Sequence, residues 1–349
     1  MNTTTTSPAG APGGPPMTPQ GLLQMHMAMG ASRVLSAAVQ HALFSHIASG
    51  HESVAAIAAA AGTDPRATRM LLDALVALGL LGKADGQYRL TPASRAYLVR
   101  ESPDYVGALM EIDDLWHAWS GLPEVVRSGR PSVTVELQAQ AEAFFPTLIR
   151  SLHVLNRAPA RRLAAALGLG TRHRGLRILD IGAGSAVWSL ALAEADAGAH
   201  VTAQDYPGVL KETAGFVTRH GLGARFDYLA GDLNAVDFGS ARFDLAVLGN
   251  IVHSEGEASS RRLFRRLHAA LAPGGRLAIL DFFPDEDRSG PAPAVMFALN
   301  MLVNTEHGDT YTLSEYRAWL AEAGFASVET VEIGEDGVMP APAVVATKA

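Results

Sequence analysis

No cysteine occurs in the 349 residues. That excludes disulfides, a thiol nucleophile and cysteine-ligated metal. No apolar run approaches the roughly 18–20 residues of a membrane span, and the alanine-rich Val54–Ala61 is far shorter. The first residues, Met1–Pro16, are Thr, Pro, Gly and Ala. They lack the basic and apolar regions of a signal peptide and read as a disordered tail (1–16). Together these absences fit a cytoplasmic protein with no membrane partner. A basic stripe is also missing: the net charge is −7, whereas nucleic-acid binders concentrate Lys and Arg on one face. The cluster Arg261-Arg262…Arg265-Arg266 falls on one amphipathic helix and reads as a solvated face. No internal repeat is visible.

What is present is apolar material, 48% of the chain, enough for sizeable cores; the length favours about two domains. Met17 to about Gly50 is helical by its three- and four-residue apolar spacing. Met25, Met27 and Met29 read as adaptable packing residues rather than metal ligands. From Glu52 to Val99 the chain reads helix (Val54–Ala61), turn, helix (Pro65–Leu78, capped by Thr63-Asp64-Pro65), then a short strand at Tyr88-Arg89-Leu90. This is a winged-helix pattern. A DNA reader would need its second helix to neutralise phosphates, but Asp64 and Asp73 balance Arg66 and Arg69. A structural, dimerising or lid role follows. Asp104 to about Ala166 is again helical, carries Trp116, Trp119, Phe144 and Phe145, and breaks at Gly129-Arg130-Pro131.

From Arg177 the period changes. Strands are expected at Arg177–Ile181, Val201–Gln204, Phe226–Leu229, Phe243–Leu248, Leu277–Phe282, near Ser327–Ile333 and at Ala343–Thr347. Helices intervene at Val187–Ala195, Val209–His220, Ala258–Leu271 (ended by Gly274-Gly275) and Thr312–Ala323. Such alternation predicts an α/β, Rossmann-like, doubly wound sheet. Ligands in such sheets sit at the carboxyl ends of the strands.

The first such end reads Leu179-Asp180-Ile181-Gly182-Ala183-Gly184-Ser185-Ala186-Val187. Glycines let a backbone turn tightly and approach a ligand. A dinucleotide fold wants a third glycine where Val187 stands, which weakens a nicotinamide reading. The next strand ends in Asp205, a carboxylate able to accept both hydroxyls of a ribose. The third ends in Gly231-Asp232-Leu233, an acid beside an apolar residue, suited to the edge and face of an adenine. Each aspartate alone could simply fill a turn; three in order at consecutive strand ends are more specific.

Asp180-Ile181-Gly182-Ala183-Gly184, Asp205-Tyr206-Pro207-Gly208-Val209, Gly231-Asp232-Leu233 and Pro273-Gly274-Gly275-Arg276-Leu277 resemble the class I methyltransferase series. More narrowly, from Met17 to the C-terminus the chain resembles the caffeic-acid and antibiotic-biosynthesis O-methyltransferases. The resemblance implies S-adenosylmethionine (SAM) as cofactor. It also implies a homodimer of interlocked winged-helix domains (17–110), linking helices that contribute to the acceptor pocket (111–170) and a SAM-binding catalytic domain (171–349). Asp180, Gly182, Gly184, Asp205, Tyr206, Asp232, Leu233, Gly249 and Asn250 become the candidate cofactor residues. Two departures stand out: Ala186 replaces a frequent third glycine, and Gly249 replaces a frequent lysine, so one cofactor contact must differ.

Methyl transfer from a sulfonium needs alignment of the acceptor, exclusion of water and, for a phenol of pKa about 10, a base. His253 lies just past the strand Phe243–Leu248, and Asp281 ends the next strand. A carboxylate there orients the imidazole and raises its basicity. The resemblance implies the same pair, His253 as general base and Asp281 as its orienter. The family's Asp-Trp after the histidine is Ser254-Glu255 here, and a later acid is Thr310, for which Glu306 or Asp309 could substitute. Phe297, Asn300, Met301 and Asn304 share a helical face and are expected to line the acceptor pocket. Trp116, His117 and Trp119 are placed as a possible roof, and Phe145, Ile149 and His153 as a face approaching the same space. The expected activity is O-methylation of a small, aromatic, specialised metabolite. Carbon or nitrogen methylation on the same fold is the first alternative, metal-assisted if His253, Glu255 and His307 met; no compact motif supports a metal. A winged-helix regulator with a ligand-sensing Rossmann-like domain is the second.

Overall fold

The structure is a computed structural model that describes residues 18–132, 138–334 and 342–349, with the side chains of 113–114 and 138–147 outside the description. The tail 1–16 also lies outside the described residues. The chain divides into two compact units, Met1–Pro103 and Asp104–Ala349.

The first unit runs α1 (Pro19–Gln40), α2 (Leu43–Ala48), α3 (Val54–Ala61), α4 (Pro65–Ala77), the antiparallel wing β1 (Leu81–Ala84) and β2 (Gln87–Leu90), then α5 (Pro92–Tyr97). Asp64 caps α4 as the sequence implies, accepting from Ala67 N–H, and Gly62 ends α3 in the left-handed region; Ser53 also caps α3, accepting from Ala56 N–H. Arg69, Lys83 and the Tyr88 hydroxyl all converge on Asp73. Leu72, Leu75 and Tyr88 are fully buried. One expectation fails within the chain: Met25, Met27 and Met29, with Leu22 and Leu23, are 55–63% exposed along α1. Their own unit leaves more than half of each uncovered.

The second unit begins with α6 (Asp113–Ser120), α7 (Leu122–Ser128) and the long α8 (Gln138–Ala166). It continues β3 (Arg177–Ile181), α9 (Val187–Ala195), β4 (His200–Asp205), α10 (Pro207–Arg219), β5 (Phe226–Ala230), β6 (Phe243–Gly249), α11 (Val252–Ala270), β7 (Leu271–Leu280), α12 (Ala292–Asn304), α13 (Leu313–Glu322), β8 (Phe325–Val331) and β9 (Ala343–Lys348). The seven strands stand in the order β5-β4-β3-β6-β7-β9-β8. All pairs are parallel except those of β9 with β7 and β8. Strand alternation splits the core. Ile178, Leu245, Val247 and Ala278 face α8 and α9, whereas Leu179, Ile181, Leu248 and Ile279 face α11 and α13. Between β3 and β6 the chain order reverses, which opens a crevice at the carboxyl ends.

Two boundaries differ from expectation. The helix expected from Ala258 begins at Val252, because the turn holding His253 joins it across a break at Gly256 (φ 74°). That helix ends at Ala270; Gly274 and Gly275 belong to an irregular start of β7 rather than to a helix stop.

A candidate active site at the carboxyl ends of the strands

The glycine turn after β3 uses three left-handed residues, Gly182 (φ 61°), Gly184 (φ 53°) and Ala186 (φ 56°). Ala186 tolerates a conformation that costs an L-residue about 1–2 kcal/mol, so the turn survives without its third glycine. Asp205, at the end of β4, accepts from Gly184 N–H (2.9 Å) and Tyr206 N–H (2.7 Å). Burial pushes the Asp205 carboxyl up to about 6, against the two amide donors that pull it down. Asp205 as a residue is half-buried at this strand end. Asp232 is exposed and forms its own turn through Asn234 N–H (2.8 Å), while Leu233 packs beside it.

Gln204, read from sequence only as a strand residue, proves to be a strut. It is 1% exposed, donates to Gly231 C=O (2.7 Å) and accepts weakly from Gly182 N–H (3.4 Å), tying the first strand end to the third.

Asp180 requires a correction. It was placed among the cofactor contacts, but it is 1% exposed and accepts from the Ser189 hydroxyl of α9. Burial raises its carboxyl to about 7, with Asp205 adding to the rise and Ser189 opposing it. It props the turn from beneath. His153 needs a second correction. Its Nδ1 pairs with Ser185 Oγ (3.1 Å) and its ring stacks on Phe216 of α10 (4.5 Å). It therefore buttresses the glycine turn instead of facing the acceptor space. Burial, then the charges of His220, Arg157 and Arg219, pushes it down to about 4, so it is a neutral packing imidazole at pH 7.

Gly249 ends β6 and Asn250 follows at φ 63°, with its N–H on Leu280 C=O (2.9 Å). A Cβ at Gly249 would land on the indole Nε1 and Cδ1 of Trp188. The missing lysine thus coincides with a tryptophan that fills its space.

His253 and Asp281 meet as their spacing implies. Nδ1 lies 2.6 Å from Asp281 Oδ1, and the His253 backbone N–H donates to Oδ2 (3.1 Å). Phe282 N–H also donates to Oδ1 (2.8 Å), and the Tyr316 hydroxyl to Oδ2 (3.2 Å). Four donors thus point at one buried carboxylate, 2% exposed. Asp281 accepts, so Nδ1 carries the proton and Nε2 keeps its lone pair. Nε2 has no hydrogen-bond partner among the described residues. Burial and the Asp281 charge hold the Tyr316 phenol well above its ordinary pKa, so it stays a donor. Tyr316 escaped the sequence reading; its only sequence signal is a place one turn into α13, just past Thr310.

Phe297 brings its edge to the His253 ring (4.9 Å) and stacks on Phe282 (3.9 Å). Asn300 Oδ1 accepts from Trp119 Nε1 (3.1 Å) and from Asn304 Nδ2 (3.3 Å). The indole can only donate, which fixes the amide and leaves Asn300 Nδ2 without a partner among the described residues. Met301 and Asn304 are buried, and Trp116 is half-buried on α6. The Phe145 side chain lies outside the described residues. Thr310 is buried and donates to Ala294 C=O (3.2 Å). Asp309 binds Thr310 N–H and lies 3.9 Å from Arg288, so its carboxylate is not directed at the imidazole. Glu255 accepts from Asn234 and Ser259. Among the described residues no group of three or more His, Asp or Glu is placed to hold a metal.

Residues 168–326 match the family model of an O-methyltransferase domain, and residues 23–100 that of an O-methyltransferase dimerisation domain. The 3-hydroxy-5-methyl-1-naphthoate 3-O-methyltransferase of Streptomyces sahachiroi is 32% identical, over 88% of this chain and 89% of that protein. The tetracenomycin polyketide synthesis 8-O-methyl transferase TcmO of Streptomyces glaucescens is 31% identical, over 90% of this chain and 94% of its own. Among solved structures, human N-acetylserotonin methyltransferase in complex with SAM superposes with a TM-score of 0.80 at 25% identity, covering 95% of this chain and 97% of that one.

Proposed function

The chain belongs to the O-methyltransferase family and is a SAM-dependent enzyme of that family; on that premise we propose that it methylates a hydroxyl of a small, aromatic natural product, with His253 as general base. The dimerisation-domain match supports a homodimer, and the exposed apolar residues of α1 supply a surface for a second copy to bury. Family membership sets aside the reading of a winged-helix regulator.

The residues fit the cofactor. The left-handed turn brings backbone close, the half-buried Asp205 stands at the end of β4 with lone pairs left for a ribose diol, and Asp232-Leu233 stand at the next strand end for an adenine. When bound, SAM supplies an activated methyl on a sulfonium.

The observation that carries the reaction assignment is the His253–Asp281 pair. The acceptor hydroxyl gives its proton to Nε2 as the oxygen becomes nucleophilic, and Asp281 stabilises the imidazolium that forms. Tyr316 and the Phe282 amide hold Asp281, and so hold the ring. Phe297 and Phe282 supply an apolar, aromatic neighbourhood suited to a planar acceptor, and the Asn300 amide offers it a donor. The relatives' names fit such a substrate, a hydroxynaphthoate and a tetracenomycin polyketide.

The test is to incubate the enzyme with isotopically labelled SAM and a panel of hydroxylated aromatic acids and polyketides, and to locate the methyl group by mass spectrometry. The methyl is expected on oxygen; a carbon- or nitrogen-bound methyl overturns the proposal. His253→Ala is expected to lower kcat by about 10²–10⁴-fold, with cofactor affinity held within about twofold. Unchanged turnover removes the general base.

A further inference from the structure

The two turns flanking the β3/β6 crevice are interlocked. A Cβ at Gly182 would meet the Ile251 side chain from the turn after β6, and a Cβ at Gly249 would meet Trp188 from the first turn of α9, just past the turn after β3. Ile251 ends in a flexible methyl, but Trp188 ends in a rigid ring, so only the second contact forbids a side chain.

Trp188 is the second residue of α9 and is 4% exposed. A buried indole N–H ordinarily finds an acceptor. This one has none among the described residues, yet it is not among the fully enclosed orphan atoms. It packs against the last residue of β6, at the carboxyl edge where the sheet's chain order reverses. Adenosine is assigned above to the ends of β4 and β5. With strands ordered β5-β4-β3-β6, the amino-acid end of the cofactor extends over β3 and β6. Neither 182–188 nor 249–252 contains a lysine or arginine, so the donors these two turns offer a carboxylate are neutral ones.

We infer that the Trp188 indole N–H donates to the carboxylate of the cofactor's methionine portion, making Trp188 a cofactor-binding residue and Gly249 the gap that admits it. The inference rests on the cofactor placement proposed above. It accounts for the glycine at 249: any side chain there displaces the donor.

The test is calorimetric titration of the full-length protein with S-adenosylhomocysteine and with 5′-methylthioadenosine. The second keeps the adenosine and lacks both carboxylate and ammonium; an N–H cannot donate to an ammonium, so a selective effect reports the carboxylate. Trp188→Phe is expected to weaken S-adenosylhomocysteine about tenfold, the size of a lost hydrogen bond to a charged group, and to leave 5′-methylthioadenosine within about twofold. Equal losses for both ligands, or no loss for the first, overturn the inference. Gly249→Ala keeps the indole but pushes it aside, and should reproduce the selective loss if the phenylalanine variant fails to fold. Asp205→Ala acts as the separator, since it should weaken both ligands alike. If it weakens neither, the cofactor placement itself fails.

Discussion

The cofactor end and the reacting end of the crevice each contain a buried aspartate, and the two are solvated by the protein in opposite ways. Asp180 is met among the described residues only by Ser189, and burial carries its carboxyl up to about 7. Asp281 collects four donors from His253, Phe282 and Tyr316. Equal burial therefore serves different ends: one carboxyl is a neutralisable prop beneath a turn, the other an acceptor that orients the His253 imidazole. The two ends also differ in origin. The cofactor end comes from short runs at consecutive strand ends. The reacting end joins α11, the end of β7, α12 and α13, with contacts spanning 28 and 35 residues.

Four substitutions test that contrast, taken from the largest expected effect. Asp281→Asn loses the acceptor that fixes the His253 tautomer and should lower kcat by about a hundredfold or more, with calorimetric affinity for S-adenosylhomocysteine unchanged. A loss confined to binding would break the division between the two ends. Asp205→Ala should do the reverse, weakening the same ligand by about 10–100-fold with a smaller change in kcat at saturation.

Tyr316→Phe removes one of the four donors. We expect a fall of about three- to tenfold in kcat with KM held and the pH–rate profile displaced; an unmoved profile would make Tyr316 merely structural. Asp180→Asn bears on stability. A carboxyl raised from 3.8 to about 7 in the folded chain keeps its proton where the unfolded chain has lost it. Stability should therefore fall as pH rises from about 4 to about 7. Thermal melts across that range should show the decline in the wild type and a flatter profile in Asp180→Asn.

Much of this was legible in the sequence because it is local. The cap at Asp64, the helix end at Gly62, the bounds of β3 and α9, and the acids at strand ends follow from propensity, turn chemistry and period. The His253–Asp281 pair was legible too, since adjacent parallel strands bring equivalent ends together. Other readings went astray because periodicity reports a face and not what covers it. The methionines of α1 have the spacing of packing residues, yet their own unit leaves them exposed. His153 shares a face with Ile149, and the structure turns that face onto the glycine turn, where Ile149 meets Gly184.

By itself, then, the sequence determined the architecture, the family and the pairing of His253 with Asp281, because each is written in residues close together or in equivalent strand positions. Only the tertiary structure decided that Asp180 accepts from Ser189 and Asp205 from the Gly184 amide, that Tyr316 completes the donors on Asp281, and that a side chain at Gly249 would collide with Trp188. Those are outcomes of burial and of contacts between distant elements. A side chain's charge state and its free hydrogen-bonding capacity are set by what surrounds it in space.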